Sequence, residues 1–335
     1  MRQTGAQRVH KDFLVEDGAE RFRRPERVAV LIPCYNEEAA IASVVADFRN
    51  ALPEAEIYVY DNNSTDRTVA IAHQAGAVVR REPLQGKGNV VRRMFSDIEA
   101  DIYVLVDGDD TYDATSAPMM VSALIENNLD MVNGARVTDI RAAYRPGHRF
   151  GNALLTGIVA WLFGNRFQDM LSGYRVFSRR FVKSFPALAA GFEIETELTV
   201  HALELRMPTA EVPTPYRDRP QGSQSKLRTY RDGFRILWTI VNLVRAEKPF
   251  RFFSTIFAVL MALSLGLSLP LLITYLETGL VPRLPTAVLA SATTLLAFLN
   301  LGCGIILESV TLGRHELKRM RYLDIPVSSA QEAAE

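Results

Sequence analysis

The sequence predicts an α/β protein with a doubly wound, mostly parallel sheet, followed by a pair of membrane-spanning helices. Short, wholly apolar runs alternate with segments of helical spacing through about the first 110 residues, which is typical of a parallel sheet covered by helices. An acidic cluster, Asp107–Asp110, directly follows the fourth apolar run. Two uncharged apolar segments near the C-terminus reach the length of about 20 residues that a bilayer span requires.

The elements of the predicted sheet follow one another in regular order. Residues 1–26 are polar and charged and are interpreted as an N-terminal arm. Four buried strands are predicted at Val28–Ile32, Ile57–Tyr60, Ala77–Arg80 and Ile102–Val106. Helices are predicted between them at Glu38–Asn50, Thr68–Ala75 and Gly88–Ile98.

Polar segments follow three of these strands. Ligands of doubly wound sheets bind beyond the carboxyl ends of the strands. We therefore expect Pro33–Glu37, Asp61–Asp66 and Asp107–Asp110 to converge on one site.

Charge and cysteine content exclude some classes of protein. Lys and Arg together number 38, as do Asp and Glu, so the formal net charge is zero. A general nucleic-acid binder would carry a basic surplus. The two cysteines, Cys34 and Cys303, lie in unlike segments, which argues against a disulfide framework.

The apolar segments Phe252–Leu276 and Thr286–Leu307 predict a transmembrane hairpin; a pair of buried core helices is the alternative. Basic residues precede the first segment and follow the second, so both ends are expected in the cytosol. Residues 229–246 have an apolar face with arginines elsewhere, which suits either a helix in the membrane interface or a core helix. Small residues in the hairpin permit close packing, within the chain or in a homo-oligomer.

The acidic cluster is a candidate metal site. Asp107 and Asp109 are separated by Gly108, whose missing side chain lets the backbone approach a ligand closely. Mg²⁺ and Mn²⁺ prefer such oxygen ligands and complete their shell with phosphate oxygens and water. Asp61 could accept hydrogen bonds from a base or ribose, and Lys87 could place a cation near phosphates, or be an ordinary solvated lysine.

The motifs, taken in order, resemble a known family. PCYNEE, DNNSTDRT, GKGN, DGDD and DMLSGYR follow one another as in the family 2 glycosyltransferases of GT-A fold, a Rossmann-like fold. SKLRTY at Ser225–Tyr230 and the C-terminal hairpin resemble the polyprenyl-phosphate glycosyltransferases, the group that includes dolichyl-phosphate mannose synthases and undecaprenyl-phosphate glucosyltransferases. The resemblance covers about residues 28–312.

The resemblance implies roles for individual residues. Nucleotide contacts are implied for Pro33, Tyr35, Glu37, Asp61, Lys87, Asp107 and Gly108. Metal and diphosphate binding are implied for Asp107 and Asp109, and Thr111 stands where many relatives carry a glutamine. Phosphate contacts are expected from Arg136, Arg149, Arg175, Arg219 and Lys226. Asp169 matches a carboxylate near the acceptor, either as a base or as an orienting group.

The implied protein is an inverting, metal-dependent enzyme that moves a hexose from a UDP- or GDP-sugar to polyprenyl phosphate at the cytosolic face of the inner membrane. Its expected divisions are a catalytic domain, a juxtamembrane amphipathic helix, two membrane helices and a cytosolic tail at residues 27–228, 229–250, 251–312 and 313–335. One alternative is a processive polysaccharide synthase, although neither a QxxRW-type motif nor further spans are found. Another is a non-catalytic membrane scaffold.

The topology can be tested by cysteine labelling in right-side-out cells. In a chain whose native cysteines are replaced, Leu280→Cys should react with an impermeant reagent, because the link Glu277–Pro285 is expected outside. Lys318→Cys should react only after permeabilisation. Labelling of the Lys318→Cys variant in intact cells would contradict the predicted orientation.

Overall fold

The structure is a computed structural model that describes residues 26–137, 157, 167, 169–191, 193–217, 238 and 241–326. Residues 1–25 of the predicted N-terminal arm therefore lie outside the described residues. Within the described ranges, the catalytic domain is built around a seven-stranded mixed sheet, and two long helices follow this domain in the chain.

The sheet confirms the predicted α/β class and its mostly parallel character. Its strands are β1 (Val28–Cys34), β2 (Glu56–Asp61), β3 (Val78–Arg81), β4 (Ile102–Leu105), β5 (Met131–Val137), β6 (Arg175–Ser178) and β7 (Thr209–Pro215). They lie in the order β3-β2-β1-β4-β6-β5-β7. β6 runs antiparallel to both β4 and β5, whereas the other paired strands are parallel.

Helices cover both faces of the sheet. They are α1 (Ile41–Ala51), α2 (Thr68–Gln74), α3 (Lys87–Asp97), α4 (Ala117–Glu126), α5 (Arg179–Ser184) and α6 (Ile194–Glu204). In β1, Val30 and Ile32 belong to the core shared with α1, while Leu31 belongs to the core shared with α3. Successive side chains of a strand point to opposite faces, so burial on both faces explains why this strand is wholly apolar.

Two apolar helices complete the described fold: α7 (Pro249–Thr278) and α8 (Leu284–Leu323). Both are long and apolar enough to cross a membrane by length and composition, with mean hydropathy of 2.5 and 1.9 in their most apolar windows. They pack on each other through small residues. Ser264 Oγ lies 2.7 Å from Thr294 Oγ1, and a Cβ at Gly304 would come 2.9 Å from Phe253 Cβ. At these two positions the partner helix therefore lies in the same chain.

Helix α8 continues beyond the expected end of the second span. Residues 313–323 were expected in a cytosolic tail, but they are helical and pack on the catalytic domain. Lys318 Nζ lies 2.7 Å from Glu204 Oε2, and the Tyr322 hydroxyl donates to Asp130 Oδ2 at 2.7 Å. Of the predicted juxtamembrane helix, residues 241–247 are described as helical.

His201 of α6 gives the catalytic domain a testable pH dependence. Its ring packs edge-on against Phe181 and Phe185, with centroids 5.4 and 5.3 Å away. Its Nδ1 has no hydrogen-bond partner among the described residues. Burial, aided by the charge of Lys318, lowers the pKa of His201 from 6.5 to about 3.

We expect the free energy of unfolding to fall by about 2 kcal/mol between pH 7 and pH 5 because of His201. The unfolded chain binds a proton below about pH 6.5 and the folded chain does not, so stability is full above that pH and is lost as the pH falls. Chemical denaturation of wild type and His201→Leu in detergent, at both pH values, measures this difference. Equal pH dependence in the two proteins would contradict a neutral buried imidazole.

Candidate active site

The carboxyl ends of β1 and β2 form the first part of the site. The two strands are in parallel register, with Cys34 opposite Asp61, and the backbone N–H of Asn62 donates to Cys34 O at 2.8 Å. The loops after both strands therefore begin side by side. Of the predicted nucleotide-binding residues, Pro33 and Asp61 lie at the ends of the two strands, and Tyr35 and Glu37 lie in the loop after β1.

Hydrogen bonds join these two loops to each other. The backbone N–H of Asn36 donates to Ser64 Oγ at 2.9 Å, and that of Glu37 donates to Thr68 Oγ1 at 2.8 Å. The buried carboxylate of Asp61 accepts the backbone N–H of Ser64 at 3.1 Å. An ionised carboxylate has about four acceptor positions, so Asp61 can also accept from a ligand.

The acidic loop lies beside β1, at the end of β4. A Cβ at Gly108 would come within 2.6 Å of Cys34 Sγ, so a larger residue here would have to displace the buried Cys34 side chain. The buried carboxylate of Asp109 accepts the hydroxyl of Thr111 at 2.6 Å. The Thr111 hydroxyl thus orients the neighbouring carboxylate.

Lys87 links Asp107 to a residue that is distant in sequence. Its ammonium, at the start of α3, lies 2.5 Å from both Asp107 Oδ1 and Glu195 Oε1. The side chains of Lys87 and Glu195 are 9% and 8% exposed. Burial alone would lower the pKa of Lys87, but the two carboxylates outweigh it and hold that pKa above its ordinary value. Lys87 is therefore a charged, buried bridge, not a solvated surface lysine.

Glu195 occupies the first turn of α6, which begins at Ile194. The side chain of Glu195 reaches the site through Lys87. Its participation could not be inferred from its local sequence, since Lys87 lies 108 residues away.

The segment Asp169–Arg175 closes the other side of Asp107. A Cβ at Gly173 would collide with the Asp107 carboxylate, so the glycine leaves the space that this carboxylate occupies. The backbone N–H of Gly173 donates to the Tyr112 hydroxyl at 2.8 Å. Tyr112 follows the acidic loop and was not singled out as a site residue from the sequence.

Asp169 and Arg136 form a two-pronged ion pair at the same end of the sheet. Arg136 Nε and Nη2 donate to the two carboxylate oxygens at 2.7 and 2.8 Å, and the guanidinium lies 5.5 Å from the centroid of the Tyr216 ring. Burial would raise the pKa of Asp169, but Arg136 outweighs it and lowers that pKa. An ionised, paired carboxylate is a poor proton acceptor, so the geometry favours the orienting role for Asp169.

Arg175 has a different position from the one expected. It is fully buried, and its guanidinium donates to Ser172 O, Met170 O and Thr199 Oγ1 at 3.0, 2.6 and 2.8 Å. Burial lowers the pKa of Arg175 to about 10. The expected phosphate contact is corrected accordingly, because these acceptors hold the guanidinium inside the domain.

The other predicted phosphate residues, Arg149, Arg219 and Lys226, lie outside the described residues and stay predictions. Arg217, just before Arg219, is described. Its backbone N–H donates to Thr111 O at 2.8 Å. The chain therefore leaves the described part of the domain next to the acidic loop.

Asp107 and Asp109 are the residues that fit a divalent cation here. Both are carboxylates on one loop, and the Asp107 carboxylate occupies the space that the missing side chain of Gly173 leaves. Oxygen donors of this kind suit Mg²⁺ or Mn²⁺. Lys87 contacts only one oxygen of Asp107 in the contacts described, which leaves the second oxygen for a cation.

Known proteins are similar to this chain in sequence and in fold. A sequence model described as glycosyl transferase family 2 matches residues 29–183. The chain is 34% identical to glycosyltransferase AglJ of Haloferax volcanii over 303 residues, covering 90% of this chain and 99% of that protein. It is 32% identical to the dolichyl-phosphate hexose transferase of the same organism, covering 66% of this chain and 95% of that protein.

Among solved structures, the fold is similar to glucosyl-3-phosphoglycerate synthase from Mycobacterium tuberculosis, crystallised with Mn²⁺, uridine diphosphate and glucosyl-3-phosphoglycerate. The TM-score is 0.53 at 24% identity, over 66% of this chain and 79% of that chain. Fold and site together define a glycosyltransferase of GT-A fold. The chain belongs to the family 2 glycosyltransferases, so the alternative of a non-catalytic scaffold is not supported.

Removing the Lys87 bridge should expose the cost of the charges that it neutralises. Lys87→Met leaves Glu195 buried without its cation, and breaking a buried pair in this way costs about 3–5 kcal/mol. Adding Glu195→Gln removes the orphaned charge and should recover much of that loss. Chemical denaturation of the single and double variants at pH 8 measures the coupling. A loss below about 1 kcal/mol in Lys87→Met, the scale of an exposed pair, would contradict a buried bridge.

Proposed function

We propose that this enzyme transfers a hexose from a UDP- or GDP-linked sugar to a polyprenyl phosphate, such as undecaprenyl or dolichyl phosphate, at the cytosolic face of the inner membrane. The observation that carries the proposal is the direct packing of α8 on the domain that bears Asp107 and Asp109. A nucleotide-sugar site fastened to two apolar helices suits a soluble donor and a lipid acceptor. The relative named a dolichyl-phosphate hexose transferase supports this acceptor class.

The donor would occupy the loops after β1, β2 and β4. Asp61 is available to accept hydrogen bonds from the nucleoside, and its neighbours Tyr35 and Glu37 lie on the adjoining loop. The diphosphate would lie towards Asp107 and Asp109. Mg²⁺ or Mn²⁺ bound by these carboxylates would act as a Lewis acid that stabilises the charge of the departing diphosphate.

The acceptor needs alignment and charge neutralisation more than a base. A phosphate monoester has a second pKa of about 6 and is largely dianionic at neutral pH. The Arg136 guanidinium, held by Asp169 and stacked on Tyr216, offers a fixed cationic group near the acidic loop. An oxygen of the acceptor phosphate would bond to the anomeric carbon as the bond to the diphosphate oxygen breaks, and this single displacement inverts the configuration.

The membrane arrangement follows from the helices and their flanking charges. α7 and α8 would span the bilayer, with basic residues at both cytosolic ends. The described residues contain two candidate spans, whereas a processive synthase would need more spans to form a channel. The proposal is therefore for single transfers to a lipid carrier.

The activity can be tested with purified full-length protein, C55 polyprenyl phosphate and a panel of UDP- and GDP-sugars. We expect a hexosyl-phosphate lipid from one nucleotide series, and loss of product when EDTA removes the divalent cation. Transfer to a soluble acceptor with none to the lipid would overturn the acceptor assignment.

Asp109→Ala should lower the turnover number by about 100-fold or more, because a catalytic metal ion contributes several kcal/mol of transition-state stabilisation. The matched control is Asp110→Asn, on the same loop. Asparagine tolerates the positive φ of 57° at this position, so this variant should retain most activity. Near-normal turnover of Asp109→Ala with saturating Mg²⁺ or Mn²⁺ would show that Asp109 is not a metal ligand.

A further inference from the structure

A second cluster of metal-ligating side chains lies where the catalytic domain meets α8. Glu204 is the last residue of α6, Glu247 ends the helical segment 241–247, and His315 lies on the C-terminal extension of α8. The cluster belongs to none of the loops after β1, β2 and β4. One ligand atom from each side chain lies within 4.8 Å of the other two.

Two carboxylate oxygens converge on one ring nitrogen. His315 Nε2 lies 2.9 Å from Glu204 Oε1 and 3.1 Å from Glu247 Oε2. A ring nitrogen carries at most one proton, so it cannot fully satisfy both oxygens. The Glu204 side chain is 1% exposed, and its Oε1 accepts no well-formed hydrogen bond from any described residue. A buried acceptor of this kind calls for a further partner, such as a cation.

The other oxygen of each carboxylate already has a basic neighbour. Lys318 Nζ lies 2.7 Å from Glu204 Oε2, and Arg314 Nη2 lies 3.5 Å from Glu247 Oε1. Carboxylates that bind a metal through one oxygen are commonly held by hydrogen bonds to the other. The flanking cations therefore orient both carboxylates towards the same point beside His315.

We propose that Glu204, Glu247 and His315 form a divalent-cation site, with Zn²⁺ as the preferred ion. Zn²⁺ accepts both imidazole nitrogen and carboxylate oxygen as ligands, whereas the Asp107 and Asp109 side chains offer only oxygen. His315 is 26% exposed, which provides an entry path and room for water as a fourth ligand. The ion would join three separate parts of the chain and fasten the hairpin to the catalytic domain.

Direct binding measurements on the full chain test the site. The parent protein for these measurements carries Asp109→Ala, which removes the expected acidic-loop site. It is purified in detergent, treated with EDTA and dialysed. Calorimetric titration with Zn²⁺ should show one site, which weakens at least 10-fold in His315→Gln. The matched control is His73→Gln, the same change at an exposed histidine of α2, and it should bind as its parent does.

A second measurement uses the wild-type protein, so its result does not depend on whether a variant folds. Co²⁺ bound to the wild-type protein should give visible d–d absorption with a nitrogen ligand, and Zn²⁺ should abolish it by displacement. Equal Zn²⁺ affinity in the parent and His315→Gln would overturn the proposal. So would the absence of Zn²⁺ binding combined with a His315-dependent rise in thermal stability on acidification. That result would mean that the ring nitrogen holds a proton and the cluster is only a set of ion pairs.

Discussion

The buried ammonium of Lys87 is the interaction on which the site's geometry depends. It brings together α3, the end of β4 and the first turn of α6 by contacting Asp107 and Glu195. Two carboxylates around one point would repel each other without it, and a unit charge pair 4 Å apart is worth about 4 kcal/mol at an effective dielectric constant of 20. Asp107 is therefore held in place before any ligand binds.

The two described arginines that were expected to bind phosphate show how burial separates similar residues. Arg175 gives its hydrogen bonds to the protein interior, whereas Arg136 lies at the end of the sheet and shares its charge with Asp169. That pair is close to neutral overall. An anionic acceptor would therefore need further positive charge, and the candidates are Arg149, Arg219 and Lys226. In the sequence, Arg149 lies between β5 and β6, and the other two follow β7.

The first half of the sheet could be predicted because its signals are local. Strands β1, β2 and β4 are apolar runs buried on one or both faces, and the site loops follow them directly. Strands β5 to β7 were not predicted. β5 contains the polar residues Asn133 and Arg136, whose side chains donate hydrogen bonds to Asp169. β7 contains two prolines. Proline is confined largely to edge strands, and β7 is at the edge. Long-range contacts such as Lys87–Glu195 leave no local pattern.

Helix α8 shows why hydropathy located the apolar segment but not the end of the helix. Hydropathy reports the affinity of a segment for lipid, and the uncharged apolar segment of α8 ends near Leu307. The helix continues to Leu323, because its charged face is paired with the catalytic domain. At 1.5 Å per residue, this extension is about 24 Å long. If α8 crosses the bilayer as proposed, these contacts hold the catalytic domain close to the membrane surface. A lipid phosphate in the interface could then reach the acidic loop without leaving the bilayer.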